Sequence, residues 1–301
     1  MKIIFAGTPE TAVPSLAALV EAGHEVSLVV TRDDAPIGRK RVLTPSPVAR
    51  WAQEHGLSIL KANRLTEADI ARIDAADADV GVVVAFGVIL DQSTLDVVPR
   101  GWINLHFSQL PAWRGAAPVQ RALMAGANHT ATTVFQLVAA LDAGPVFDSE
   151  ACVIDADETA DALLERLSRS GAQQIVRVVA SIEAGIARAH AQLGEPSYAA
   201  KLAQEDGAFR VEESGAQTYS RFRGVTSEPG FYFFDGDQRI KVLEARLSAT
   251  RVQPGMLLTE GGRVYLGTQS LALELRRVHP AGKVAMSASD WMRGRVSREA
   301  Q

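Results

Sequence analysis

The sequence predicts an α/β protein: an open, mostly parallel sheet clothed in helices comes first, and a smaller β-rich domain follows. Three features lead there. In the first half, apolar runs without polar alternation recur between helical patterns, as strands buried on both faces require. Beyond residue 205 the texture shifts to short alternating strands punctuated by glycine turns. A chain of 301 residues with 47% hydrophobic composition also exceeds one ordinary domain and can bury two cores. The expected division is 1–189, a connection over 190–206, and 207–301.

Taken in order, Lys2 to Ala6 reads as a buried strand, and Val13, Leu16, Leu19 and Val20 recur at helical spacing up to Gly23, a C-terminal cap. Val26 to Val30 is the second strand. Val48 to His55 reads as a helix closed by Gly56, Ser58 to Leu60 as a short strand, and Thr66-Glu67-Ala68-Asp69 as the capping box of a third helix. Val80 to Val84 is a valine-rich buried strand. Trp102 to His106 is another and leads into an irregular stretch. Strands near Thr132 to Val138 and Val146 to Ile154 follow with no helix between them, which predicts a mixed sheet. Leu163, Leu164, Leu167 and Ile175 mark a helix within Asp157 to Ala184, and Gly185 to Pro196 reads as the way out. In the second domain a helix around Gln217 to Phe222 precedes strands with hairpin turns at Asp235-Gly236 and Gly261-Gly262, the pattern of a small β-barrel.

Composition narrows the function classes. One cysteine, Cys152, excludes an intrachain disulfide and any multi-cysteine metal site, and fits a reducing compartment; the side chain itself reads as a small buried hydrophobe. The first apolar run, Ile3 to Ala6, is stopped by Gly7-Thr8-Pro9-Glu10, too soon for a signal segment or a membrane span. The expectation is a cytoplasmic monomer without a membrane partner. A net charge of −4 and a pI near 5.9 speak against general coating of nucleic acid. Charge is uneven, with 14 Lys/Arg against 12 Asp/Glu from Glu205 onward and 17 against 23 before it, so an RNA partner would need local basic patches.

In open α/β sheets ligands sit beyond the carboxyl ends of the strands, which directs attention to the loops after Ala6, Val84, His106 and Val138. Gly7-Thr8-Pro9-Glu10 is not a GxGxxG fingerprint, and Pro9 removes a backbone donor that a pyrophosphate would use. No GxxxxGK[ST] occurs either. Asn104 and His106, two apart on a strand, face one side. Such a pair suits acyl transfer, where donors must meet an oxyanion, and equally suits a structural hydrogen-bonding pair.

The surrounding residues read Asn104-Leu105-His106-Phe107-Ser108-Gln109-Leu110-Pro111-Ala112-Trp113-Arg114-Gly115-Ala116-Ala117-Pro118, with Leu141-Asp142-Ala143-Gly144 downstream. In order and spacing the chain resembles the folate-dependent formyltransferase family, with its N-x-H, SLLPxxRG and D-x-G elements. Phe5-Ala6-Gly7-Thr8-Pro9, Thr44-Pro45-Ser46-Pro47-Val48, Val84-Ala85-Phe86-Gly87, Ser197-Tyr198-Ala199-Ala200-Lys201-Leu202 and Pro280-Ala281-Gly282-Lys283 extend the similarity over most of the chain.

The resemblance implies a Rossmann-like catalytic domain and an OB-like second domain that binds RNA. It implies transfer of a formyl group from 10-formyltetrahydrofolate to the α-amino group of methionyl initiator tRNA, with no metal. Asn104, His106 and Asp142 would be catalytic: Asn104 and a protonated His106 would stabilise the oxyanion, while Asp142 would favour the imidazolium and orient a proton-carrying water. Ser108, Gln109, Leu110 and Pro111, with Phe86, Gly87 and Val88, would line the folate site. The long loop Thr31 to Arg41 carries Arg39, Lys40 and Arg41, which would meet tRNA phosphates, Arg39 foremost. Arg221, Arg223, Arg276, Arg277 and Lys283 are further candidates for RNA contact.

The chain departs from the family pattern at Phe107, where a small residue is usual, and at Gln109, where an aliphatic wall is expected. Val138 and the run Ala208-Phe209-Arg210-Val211 also depart, in places that concern structure. Related readings are a formyl-folate enzyme acting on a nucleotide-sugar amine or on water, and an RNA-binding module without catalysis. The Pro36 to Arg41 loop and the Pro280 to Lys283 element weigh against the first, and the retained Asn104, His106 and Asp142 against the second.

Overall fold

A computed structural model describes residues 1–38 and 40–299, and for 296–299 the backbone alone. The chain forms two compact units. One comprises Met1–Pro118, Thr130–Cys152 and Leu164–Ala199; the other comprises Val119–His129, Val153–Leu163 and the chain from Ala200 onward.

The first unit opens with β1 (Lys2–Gly7), α1 (Val13–Glu21), β2 (Glu25–Thr31) and a hairpin of β3 (Ala35–Ile37) and β4 (Val42–Thr44). Along the chain then come α2 (Pro47–Glu54), β5 (Ile59–Lys61), α3 (Glu67–Asp74), β6 (Val80–Val84), α4 (Gln92–Asp96), β7 (Trp102–His106), α5 (Pro118–Met124), β8 (His129–Gln136), β9 (Val146–Val153) and α6 (Ala160–Glu183), of which α5 beyond Pro118 and the first residues of α6 belong to the other unit. The sheet order is β5-β2-β1-β6-β7-β8-β9. Five strands run parallel and β8 runs antiparallel to β7, so the sheet is mixed toward its β8 end. Every residue of β6 is buried, which is why Val80 to Val84 shows no polar alternation.

Local chemistry explains the helix starts. Thr66 and Asp69 exchange hydrogen bonds between side chain and backbone as a capping box for α3. Ser46 caps α2 by accepting from the Ala49 N–H, with Pro47 at the first helical position. The sequence anticipates neither short α4 nor α5, whose few residues are too brief for a period to register. It also reads residues 31–41 as a loop, whereas Ala35, Pro36 and Ile37 pair with Thr44, Leu43 and Val42.

The second unit contains α7 (Gly215–Val225), β10 (Tyr232–Asp235), β11 (Gln238–Leu247), β12 (Leu257–Glu260), β13 (Arg263–Leu266), β14 (Leu273–Pro280), β15 (Met286–Ser287) and α8 (Ala288–Glu299). Its strands make an antiparallel sheet of order β10-β11-β14-β13-β12, with β15 on β14. Phe222, Phe231, Phe233, Ile240, Val242, Val278 and Trp291 fill its core, with α7 and α8 supplying part of the cover.

Packing around β7 is tight. A Cβ on Gly81 would lie 2.1 to 2.7 Å from three atoms of the buried Trp102 ring, whose Nε1 donates to the Thr94 carbonyl at 3.0 Å. Gly81→Ala is expected to cost about 1–3 kcal/mol by overpacking. Urea denaturation measures it, and an unchanged midpoint would show that the ring can move aside.

Candidate active site

Parallel pairing brings the ends of three strands to one edge. Gly7 sits opposite Val84, and Val84 opposite Leu105, so the loops after β1, β6 and β7 emerge side by side. The Thr8 hydroxyl donates to the Phe86 carbonyl at 2.8 Å, tying the first two loops together.

Asn104 and His106 stand two apart on β7. Asn104 is half-buried, and its side-chain amide has no protein partner among the described residues. His106 is 5% exposed, and its ring lies edge-on to Phe135 at 6.4 Å between centroids. The imidazole Nε2 is 2.9 Å from the Trp113 carbonyl oxygen. A carbonyl can only accept, so Nε2 carries the hydrogen. Nδ1 lies 3.8 Å from Asp142 Oδ2, close enough for charge attraction and too far for a hydrogen bond.

Asp142 is itself held. Its Oδ2 accepts from the Gly115 N–H at 2.7 Å, and its backbone occupies the left-handed region at φ 46°. Two residues on, a Cβ at Gly144 would lie 1.7 Å from the Gln136 carbonyl oxygen, so the Asp-x-Gly spacing reflects a close backbone approach. Thus Trp113 and Gly115, flanking Arg114, hold the imidazole and the carboxylate through backbone groups.

Burial pushes the His106 imidazole below its ordinary value of 6.5, and the Asp142 carboxylate and the Trp113 carbonyl pull it back only in part. The site without substrate therefore favours neutral imidazole with an open Nδ1. The sequence expectation is an imidazolium; desolvation of the nearly enclosed ring is the largest influence on it and disfavours that form, while the carboxylate at 3.8 Å favours it.

Among the expected folate-lining residues, Gly87 and Gln109 are exposed and Val88 is half-buried, while Phe86, Ser108, Leu110 and Pro111 are buried. The Ser108 hydroxyl donates to the Ala112 carbonyl at 2.6 Å, and the Thr133 hydroxyl donates to the Ser108 carbonyl at 2.7 Å, so Ser108 holds the segment from beneath. The side chain of Phe107 points into the core and Gln109 into solvent, which accommodates both departures from the family pattern. Arg39 lies outside the described residues; Lys40 and Arg41 are exposed beside it in the β3–β4 hairpin.

In the second unit, Arg221 and Arg223 are corrected as RNA candidates. Both are buried in α7: the Arg221 guanidinium is bound by Glu213, and Arg223 reaches the Asp155 and Glu158 carbonyls and lies 5.6 Å from the Tyr219 ring centroid. Burial and a hydrogen bond to Asp157 push the Tyr219 hydroxyl up to about 12, so it stays a donor. Arg276 and Arg277 remain accessible beside Glu274 and Glu244.

Sequence reasoning missed Gln192. Its Oε1 accepts from Arg114 Nε and Nη2, and its Nε2 donates to the carbonyls of Asp142 and Gly144. Nothing in the sequence marks it; only the structure shows polar Gln192 half-buried while neighbouring Leu193 is 87% exposed.

Comparison with known proteins finds relatives along nearly the whole chain. The family model described as formyl transferase matches residues 1–179, and that of the formyl transferase C-terminal domain matches 201–296. A methionyl-tRNA formyltransferase of Leifsonia xyli subsp. xyli is 50% identical over 295 residues, covering 98% of this chain and 97% of its own. One from Arthrobacter sp. is 48% identical over 301 residues, covering 99% and 98%. In structure, the sugar 3N-formyl transferase WlaRD, crystallised with dTDP and 5-N-formyl-THF, has a TM-score of 0.68 at 16% identity over 94% of this chain and 99% of its own. Matched by family models along both of its parts and sharing half its residues with a full-length relative, the chain belongs to the formyl transferase family.

Proposed function

We propose that the chain transfers a formyl group from 10-formyltetrahydrofolate to the α-amino group of methionyl initiator tRNA. The observation that carries this reading is Asn104, whose amide has no protein partner among the described residues, two apart on one strand from an imidazole whose Nε2–H is fixed on Trp113 and whose Nδ1 faces Asp142 without a hydrogen bond. Relatives of 48–50% identity named for this tRNA activity support the acceptor, whereas the sugar enzyme shares 16% and supports the fold alone.

The folate supplies the formyl carbon. Asn104 donates to the negative charge that develops on the formyl oxygen. His106 Nδ1 takes the proton that the amine loses as the new C–N bond forms, and Asp142 offsets the charge the ring then carries. The same Nδ1–H returns the proton to the departing nitrogen as the old C–N bond breaks, so the imidazole ends neutral. Gly87, Val88 and Gln109 offer the accessible surface for the folate. The hairpin, with Lys40 and Arg41 exposed beside Ile37, Val42 and Leu43 at 58%, 59% and 69% exposure, offers charge for phosphates and apolar surface for a base.

A formyl-transfer assay offering charged initiator tRNA, a nucleotide-sugar amine and water tests the acceptor, and formylated sugar or free formate as the main product would replace the reading. His106→Ala should slow turnover at saturating substrates by about 100-fold or more; near-normal kcat would remove the ring from the reaction. Because burial favours the neutral ring, kcat/KM should be level above pH 6.5 and decline below it as Nδ1 protonates. Folding stability should decline in that range too, since the unfolded chain binds the proton more readily. A rate that climbs on acidification through that range would restore the imidazolium. Replacing Lys40 and Arg41 together by Ala should reduce kcat/KM for tRNA by about tenfold and flatten its salt dependence, with the folate KM unchanged; an unaltered salt slope would take the hairpin out of the interface.

A further inference from the structure

We infer that Gln192 is a positioning residue for the reactive pair. The inference rests on the proposed formyl transfer, because it assigns Gln192 an effect on the rate of that reaction.

Gln192 lies in the extended segment that follows α6. His190, two residues earlier, pairs with Val146 at the start of β9 through hydrogen bonds of 2.7 and 2.9 Å, which fixes the segment beside the Asp142 loop. Farther along, the Ser197 hydroxyl accepts from the Trp113 N–H at 2.9 Å, and Ala199 donates to the Arg114 carbonyl at 2.7 Å. The segment thus runs along both loops that hold the site, and the Gln192 side chain joins them alongside the bond from the Gly115 N–H to Asp142.

The amide uses its full hydrogen-bonding capacity. Oε1 accepts from Arg114 Nε at 3.2 Å and Nη2 at 2.6 Å, while Nε2 donates to the Asp142 carbonyl at 2.8 Å and the Gly144 carbonyl at 2.9 Å. Arg114 stands between Trp113, which holds His106 Nε2, and Gly115, which holds Asp142 Oδ2. One planar group therefore braces, beside the Gly115–Asp142 bond, the separation between the turn that orients the imidazole and the loop that carries the carboxylate. Both hydrogens of its Nε2 satisfy carbonyls of the Asp-Ala-Gly turn, where Asp142 holds a left-handed backbone at φ 46°. No shorter or acceptor-only side chain can make all four bonds.

The consequence is kinetic. The His106 to Asp142 separation of 3.8 Å depends on two loops from different parts of the chain, and a shift of about 1 Å in such a pair costs up to 100-fold in rate. Gln192→Glu is the informative change: it keeps the size and the acceptor for Arg114 but cannot donate to the two carbonyls. Its kcat is expected to fall about tenfold while KM for the folate moves less than twofold. Amide hydrogen exchange at Gly115, whose N–H is bound to Asp142, should accelerate about tenfold. Gln192→Ala should match it in kcat, and combining Gln192→Glu with Arg114→Ala should add little, since both act through one clamp.

Wild-type kcat in Gln192→Glu would overturn the inference by reducing Gln192 to a space filler. If the unaltered protein transfers no formyl group at all, the proposed activity fails instead, and Gly115 exchange still decides the clamp: unchanged exchange in Gln192→Glu removes it.

Discussion

The His106–Asp142 pair depends on a turn of three residues. Trp113 offers its carbonyl to His106 and Gly115 its N–H to Asp142, and both backbone groups face inward because the chain turns left-handed at φ 62° and 118°. Such a conformation is costly for tryptophan and at Gly115 admits no side chain, since a Cβ would meet the Ala199 carbonyl oxygen at 2.9 Å. Ser197, which accepts from the Trp113 and Arg114 N–H groups, and Ala199, which donates to the Arg114 carbonyl, hold the turn in that conformation. Released from this turn, His106 would be a buried ring without a fixed tautomer.

Enclosure then determines what the ring can do. Water excluded from His106 leaves the neutral form favoured, and fixing the hydrogen on Nε2 makes Nδ1 the basic atom. A carboxylate within hydrogen-bond reach would occupy that atom; Asp142 instead stands far enough away to act by charge alone. Beneath this arrangement the valine-rich strand β6 is buried throughout, and hydroxyls such as those of Thr133 and Ser108 supply polar support.

Much of this was legible in the sequence. The unalternating runs at Ile3 to Ala6 and Val80 to Val84 announce a parallel sheet because burial on both faces leaves no place for polar residues. Asn104, His106 and Asp142 were identifiable from their motif, and strand periodicity put the first two on one side. The protonation of His106 was not legible, since it depends on enclosure by residues distant in the chain. Nor was Gln192, which sits in a polar connection of ordinary composition and matters only through partners 48 to 78 positions away. The pairing of residues 35–44 was hidden by Pro36 and by strands three residues long.

That pairing has an evolutionary side. Ala35 and Thr44 are cross-strand partners, so the hairpin leaves and rejoins the body of the protein at neighbouring points, about 5 Å apart. Lengthening, shortening or excising everything between them leaves β2 and the Ser46 cap of α2 where they are. The rim can therefore diversify by insertion and deletion without disturbing the sheet it projects from, as a tool head is changed on a fixed handle.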